Sequence, residues 1–193
     1  MLTDLKTALR PALALTIAFA LLLGLAYPLA LTGIGQALFP AQANGSLIVE
    51  KGEVIGSELL GQAFASDRYF HGRPSAAGQG YDASASSGSN LGPASQALSD
   101  RVAADIAANP PSPGNRVPPD LVKTSASGLD PHISPEAAFY QVSRVAKARG
   151  LQPEKIRTLI EAQVERPLLG FLGEPRINVL ALNRALDRAS ARP

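Results

Sequence analysis

Three side chains of the types used by hydrolases lie within six residues of each other. The stretch SASGLDPHIS, residues 125–134, contains Ser127, Asp130 and His132. A serine nucleophile, a histidine base and a carboxylate form the triad of acyl-transfer enzymes. Triad members usually come from distant segments, with the serine between two glycines in a GxSxG turn, whereas here a glycine stands on one side only. A turn, a ligand or partner surface and a catalytic site remain three open interpretations.

The same stretch carries the signals of a turn that leads into a helix. Gly128 can adopt a positive φ angle, and Asp130-Pro131 favours the start of a turn. Ser134 followed by Pro135 is typical of a helix N-cap and first helical position. The turn therefore explains these residue types more economically than catalysis does.

Metal and nucleotide sites have little support in the sequence. His71 and His132 are the only histidines, they are far apart, and the chain has no cysteine. Neither histidine belongs to a spaced ligand pair such as HExxH, and no GxxxxGK[ST] phosphate loop occurs. We therefore predict no metal site, no catalytic residue and no cofactor bound by this chain. The net charge of +2, from 18 basic and 16 acidic residues, does not point to nucleic acid.

The N-terminal region contains a long uncharged segment. PALALTIAFALLLGLAYPLAL, residues 11–31, has no charged side chain, and the next charge after Arg10 is Glu50. A helix of that length spans ~31 Å, about the hydrocarbon thickness of a bilayer. A cleaved signal peptide, with AQA at residues 41–43 as its cleavage site, and a buried core helix are the alternatives. We predict a transmembrane anchor over residues 11–32.

The orientation of this anchor follows from the charges beside it. Lys6 and Arg10 precede the segment, and no basic residue follows it until Lys51. By the positive-inside tendency, residues 1–10 are cytoplasmic and residues 33–193 form one extracytoplasmic, periplasmic domain.

The remaining sequence predicts an α+β fold in which helices dominate. Apolar runs around Lys51-Gly52 indicate a small β-hairpin, and a short helix is expected from Ser57, with Leu59, Leu60 and Phe64 in the core. Residues 67–95 form a long loop, followed by helices near residues 96–109, 135–149, 153–163 and 178–189. The second and third of these helices resemble a helix-turn-helix DNA reader, but any helical hairpin with a glycine turn does so, and the predicted topology keeps it away from DNA.

Several segments together resemble one family of transport proteins. GQAF, YFHGRPSAAGQGYDASASSGSNLGP, VPPDLVKTSASGLDPHISPEAAFYQVSRVA and GEPRINVLALNRALD occur in this order over nearly the whole chain. Their order and combination are similar to those of the C subunits of Kdp potassium-transporting P-type ATPases. The single N-terminal span agrees with this resemblance.

The resemblance implies an accessory role in a bacterial inner-membrane complex. In this family an A subunit conducts potassium, a B subunit hydrolyses ATP, and a small F subunit is also present. The C subunit assembles and stabilises the pump, and it has been proposed as a catalytic chaperone that raises the ATP affinity of the B subunit. ATP is thus a ligand only as a family proposal, and potassium is carried by the complex. The alternative is a membrane-tethered periplasmic ligand-binding or hydrolase domain.

Two polar loops, residues 69–93 and 125–134, are the expected partner or ligand surface, or the internal bracing of that surface. The candidate residues are Gln62, Tyr69, Phe70, Arg73, Ser75, Tyr81, Ser89, Asn90, Ser127, Asp130 and His132.

Overall fold

The computed structural model describes residues 2–110 and 115–190. The chain divides into two compact units, Met1–Leu47 and Ile48–Pro193. The first unit contains the apolar segment, and the second contains the polar loops and most of the remaining elements. The fold class is α+β, as predicted, with helices dominant and small antiparallel sheets.

The first unit is almost entirely helical. Helix α1 (Leu2–Leu21) continues through a π-helical segment (Leu22–Ala26) into α2 (Tyr27–Leu38), and the short α3 (Pro40–Ala43) follows. Residues Lys6–Leu38 are long and apolar enough to cross a membrane. The helix therefore contains the predicted span of residues 11–32 and extends beyond it on both sides.

Pro28 lies inside this helix instead of ending it. A proline has no N–H, and its ring collides with the carbonyl four residues before it in a regular helix. Here the N–H of Tyr27 donates to the carbonyl of Leu22, five residues back, at the end of the π-helical segment. The wider turn lies immediately before the proline, where the regular series of backbone hydrogen bonds between residues four apart would be interrupted.

The predicted hairpin is confirmed, but the helix expected after it is wrong. Strands β1 (Leu47–Glu50) and β2 (Glu53–Ser57) pair, and Lys51 and Gly52 both have positive φ at the turn, as a tight two-residue hairpin requires. From Ser57 the chain makes a turn instead of a helix, and Leu59 is exposed. The amide of Gly61 donates to the carbonyl of Leu129, so a distant segment supplies the bond that a helix would have made locally.

Four of the predicted helical regions are confirmed. They are α4 (Gln96–Ala108), the pair α5 (Pro135–Tyr140) and α6 (Val142–Arg149), α7 (Pro153–Ala162) and α8 (Val179–Ser190). The Ser134 hydroxyl accepts from the amide of Ala137, which is the expected N-cap. Gly150 ends α6 with φ 65°. The helix expected over residues 135–149 is interrupted at Gln141, which separates α5 from α6.

Helices α5 to α8 enclose the core of the second unit. Val142, Val145, Ile156, Ile160 and Leu182 are all buried in it. Phe139 and Leu159 pack against this core while partly exposed.

A second small sheet lies beside these helices. Strand β3 (His132–Ile133) pairs antiparallel with β4 (Ile177–Asn178), with His132 opposite Asn178. Glu165 and Arg176 form a further antiparallel bridge, through two backbone hydrogen bonds. The residues between them, 166–175, form a loop whose base is closed by this bridge.

Candidate functional site

Asp130 lies at the centre of the polar cluster formed by the two predicted loops. Its Oδ2 accepts from Nη1 of Arg73 at 3.0 Å, and its Oδ1 accepts from the backbone N–H of His132 at 3.0 Å. The Nδ1 atom of His132 lies 3.4 Å from the same Oδ1. The His132 ring and N–H, together with the Arg73 guanidinium, lower the pKa of Asp130 from 3.8 to about 2.

Ser75 joins the first loop to the second, and Tyr81 braces the first loop internally. The Ser75 hydroxyl donates to the carbonyl of Gly128 and accepts from the amide of Tyr81. The Tyr81 hydroxyl donates to the carbonyl of Arg73. Burial raises the pKa of Tyr81, and the neighbouring Asp130 charge raises it further. Both hydroxyls therefore form hydrogen bonds with backbone groups of this domain.

Ser127 is held in the turn, away from the His132 ring. Its hydroxyl accepts from the amide of Leu129 at 3.1 Å, and its carbonyl accepts from the amide of Ser87 at 3.0 Å. The ring of His132 faces carboxylates instead, Asp130 on one side and Glu165 at 4.0 Å on the other. Gly128 has the expected positive φ of 66°. This geometry fits the turn interpretation and does not form a triad.

Three other predicted residues support the fold nearby. The side-chain amide of Gln62 donates to the carbonyl of Ile55. The Tyr69 hydroxyl donates to Asp187, and the Arg149 guanidinium lies 4.7 Å from the centre of the Tyr69 ring. Phe70 is completely buried, so it cannot contribute to a surface and belongs to the core.

Ser89 and Asn90 are not brought into this cluster. Asn90 is exposed with φ 51°, and Ser89 is half-buried. Among the hydrogen bonds of residues 2–110 and 115–190, neither side chain takes part. The expected site therefore divides into a bonded cluster around Asp130 and a separate stretch of loop.

Two amide side chains that sequence reasoning missed hold the first loop. Asn183 accepts from the amide of Phe70 at 2.8 Å and donates to its carbonyl at 2.9 Å. Gln141 accepts from the amide of His71 at 2.8 Å and donates to its carbonyl at 3.1 Å. Both amides are buried. The available signal was a polar residue beside the apolar stripe of each helix, since a buried polar group needs a partner.

A cleft of about 700 Å³ opens beside the cluster. Arg73, Asp130 and His132 line one part of it, and Glu165 and Arg176 line another. Arg176 Nε lies 2.9 Å from Glu165 Oε2. Asp120 also lines the cleft, and its Oδ2 accepts from the amide of Ser134 at 2.7 Å. The polar walls thus carry both signs of charge, with Arg73 paired to Asp130 and Arg176 paired to Glu165. Within residues 2–110 and 115–190, no three His, Asp or Glu side chains are grouped to hold a metal ion.

Comparisons with known proteins cover nearly the whole chain. Residues 9–188 match the family model described as KdpC, the c chain of the K⁺-transporting ATPase. The "Potassium-transporting ATPase KdpC subunit" of Caulobacter vibrioides (strain NA1000 / CB15N) is 61% identical over 181 residues, which cover 93% of this chain and 92% of the relative. The protein of the same name from Bradyrhizobium diazoefficiens is 55% identical over 197 residues, which cover 95% of this chain and 98% of that relative.

The matched region includes both the apolar helix and the polar cluster around Asp130. The chain belongs to the KdpC family and is a membrane-associated subunit of a potassium-transporting ATPase.

Proposed function

We propose that this chain is a non-catalytic accessory subunit of an ATP-driven, high-affinity potassium uptake complex. Its role is to assemble and stabilise the pump, while another subunit hydrolyses ATP. The proposed partners are a potassium-conducting A subunit, an ATP-hydrolysing B subunit and a small F subunit. Family membership supports this role, as does the one helix among the described residues that is long and apolar enough to cross a membrane.

The observation that carries the proposal is that the polar side chains of the cluster form hydrogen bonds within the domain itself. Ser75, Tyr81 and Ser127 each bond to backbone groups of the two loops. Asp130 is occupied by Arg73 and by the backbone of His132. Side chains that are saturated in this way fix the shape of a surface, which is what an assembly subunit needs.

The proposed arrangement in the membrane is a single pass through the bacterial inner membrane. Residues 1–10 are cytoplasmic, residues 11–32 cross the bilayer, and residues 33–193 lie in the periplasm. Lys6 and Arg10 support this orientation, since basic residues are retained on the cytoplasmic side.

An effect on ATP affinity is compatible with this topology only through linkage. ATP is cytoplasmic, and the proposed domain is periplasmic. The chain can alter ATP affinity if it binds two conformations of the pump with different free energies, since coupling between sites is reciprocal. Direct contact with the nucleotide is not part of the proposal.

Size-exclusion chromatography after mild solubilisation tests the role. We expect the chain to elute in a large complex with the A, B and F subunits. A chain that elutes alone and hydrolyses or binds a small molecule would instead identify a tethered periplasmic domain. Single alanine substitutions at Ser127, Asp130 and His132 should reduce assembly and potassium-limited growth, and neither the wild-type chain nor the variants should show a hydrolase activity of their own. Ser89→Ala, outside the bonded cluster, is the matched control.

A further inference from the structure

The loop over residues 166–175 has four exposed apolar side chains in its middle. Leu168, Leu169, Phe171 and Leu172 are 70%, 75%, 73% and 52% exposed. We call these four residues the apolar tip. Single exposed hydrophobic residues are normal on a soluble surface, but a contiguous group of large ones marks an interaction site.

The backbone holds the apolar tip in a defined conformation. The Glu165–Arg176 bridge closes the base of the loop, and the amide of Leu172 donates to the carbonyl of Leu168 at 3.0 Å. Leu169 has φ 56°, a left-handed conformation that leucine rarely adopts. The fold thus accepts an unfavourable backbone angle at the most exposed leucine of the tip.

The charges around the apolar tip favour a protein over a lipid surface as its partner. Glu165 and Arg166 precede the tip, and Glu174 and Arg176 follow it, so acidic and basic residues are balanced. Loops and helices that bind bilayers usually carry an excess of Lys and Arg beside their apolar residues. An apolar centre with a charged rim of both signs is instead the usual composition of a protein interface.

We propose that the apolar tip inserts into an apolar pocket on another subunit of the same ATPase, with the adjacent cleft wall forming the polar rim of the contact. This inference rests on the proposed function, because it requires the assembled complex. A stable interface buries about 800 Å² on each partner. Since the four residues of the apolar tip are too few for that area, the tip is the anchor of the contact and the wall around Glu165 and Arg176 supplies the remainder.

Spin labelling of the full chain can test this proposal directly. The protein has no cysteine, so Leu169→Cys gives a single labelling site. Leu59→Cys is the matched control, because Leu59 is also an exposed leucine of the domain, at 61% exposure. Each labelled chain is measured alone in lipid nanodiscs and after assembly with the A, B and F subunits, using a water-soluble nickel complex and oxygen as collision reagents.

We expect assembly to immobilise the label at residue 169 and to lower its accessibility to both reagents by about tenfold, as in the dry centre of an interface. The label at residue 59 should keep its accessibility. High oxygen and low nickel accessibility in nanodiscs would show a lipid contact and overturn the proposal. A label that stays accessible to nickel in the assembled complex would overturn it while leaving the proposed function intact. If the unlabelled chain does not assemble at all, both this proposal and the proposed function fail.

Two substitutions measure the contribution of the apolar tip to assembly. Leu169→Asn removes the apolar group while Asn adopts the left-handed region readily, so the fold is retained. Phe171→Ala should weaken association about 30-fold, equal to about 2 kcal/mol, as expected for a buried aromatic anchor. Leu59→Ala should change it less than about twofold. Full assembly strength in both tip variants would overturn the proposal.

Discussion

Gly128 is the residue on which the closest approach of the two polar loops depends. Its φ is 66°, and a Cβ atom there would lie 2.6 Å from the carbonyl oxygen of Ser87 and 2.7 Å from the amide nitrogen of Ala77. Gly128→Ala should therefore lower the free energy of unfolding by about 3 kcal/mol, from a left-handed alanine and from overpacking together. Urea unfolding of the full chain in mild detergent, followed by near-UV circular dichroism of its tyrosines, measures this loss.

Gly150 provides the matched control for this prediction. Its φ is 65°, nearly the same angle, but a Cβ there would meet no atom within 4 Å. Gly150→Ala should cost about 1 kcal/mol, which is the backbone contribution alone. Equal losses at the two glycines would mean that the loops do not approach as closely as described.

Asp130 should make the stability of the domain depend on pH in acid. The contacts with His132 and Arg73 lower its pKa from 3.8 to about 2. A lowered pKa in the folded state means that the ionised carboxylate stabilises the fold above the ordinary pKa and that this contribution is lost as the pH falls through about 2. The stability advantage of the wild-type chain over Asp130→Asn should therefore be constant at neutral pH and shrink between pH 4 and pH 2. Urea titrations across that range measure it, and parallel profiles for the two proteins would contradict the assignment.

At the scale of elements, the first polar loop is ordered by helices that follow it by many residues. Gln141 at the break between α5 and α6 and Asn183 in α8 each form two hydrogen bonds with the loop backbone. These side-chain amides form with the backbone of Phe70 and His71 the hydrogen bonds that a neighbouring strand would form in a sheet. A segment without secondary structure of its own is thus fixed by side chains.

Asn183→Leu tests this arrangement, because leucine has a similar size and no polar atoms. The N–H and carbonyl of Phe70 would be left buried without partners, which costs about 1–3 kcal/mol for each group. We expect a large loss of stability and faster amide hydrogen exchange at Phe70 and His71. Arg188→Ala, at an exposed position of the same helix, should leave both exchange rates unchanged. Unaltered protection of Phe70 in Asn183→Leu would show that the loop is held by other contacts.

The elements that could be predicted from sequence are those with local signals. Apolar periodicity identified α4, α7 and α8, the Ser134-Pro135 cap identified the start of α5, and Lys51-Gly52 identified the hairpin turn. The helix predicted from Ser57 failed because the amide of Gly61 bonds to Leu129, nearly seventy residues later in the chain. Strands β3 and β4 have two residues each, too few to show an alternating pattern.

The candidate site shows the same limit on the scale of the whole molecule. Sequence placed Ser127, Asp130 and His132 in one turn and identified the glycine with positive φ. It could not show that Arg73 pairs with Asp130, since that contact joins residues 57 positions apart. Nor did it distinguish buried Phe70 from a surface residue, because aromatic side chains occur in both environments. Ser89 and Asn90 share the loop's composition but not its contacts.

The orientation of the whole chain in the membrane is set by very few charges. Lys6 and Arg10 lie before the span, and the next basic residue after it is Lys51. A tag after Pro193 should therefore be digested by protease added outside spheroplasts and protected in inverted vesicles.

Replacing Lys6 and Arg10 with Ala while changing Gly33 and Gln36 to Lys should shift a large share of chains to the opposite orientation, because the basic residues then lie on the other flank. The same two Lys substitutions with Lys6 and Arg10 retained serve as the control and should shift fewer chains. A tag protected in spheroplasts of the wild-type chain would place the domain in the cytoplasm, where it could reach ATP directly and the linkage argument would no longer be needed.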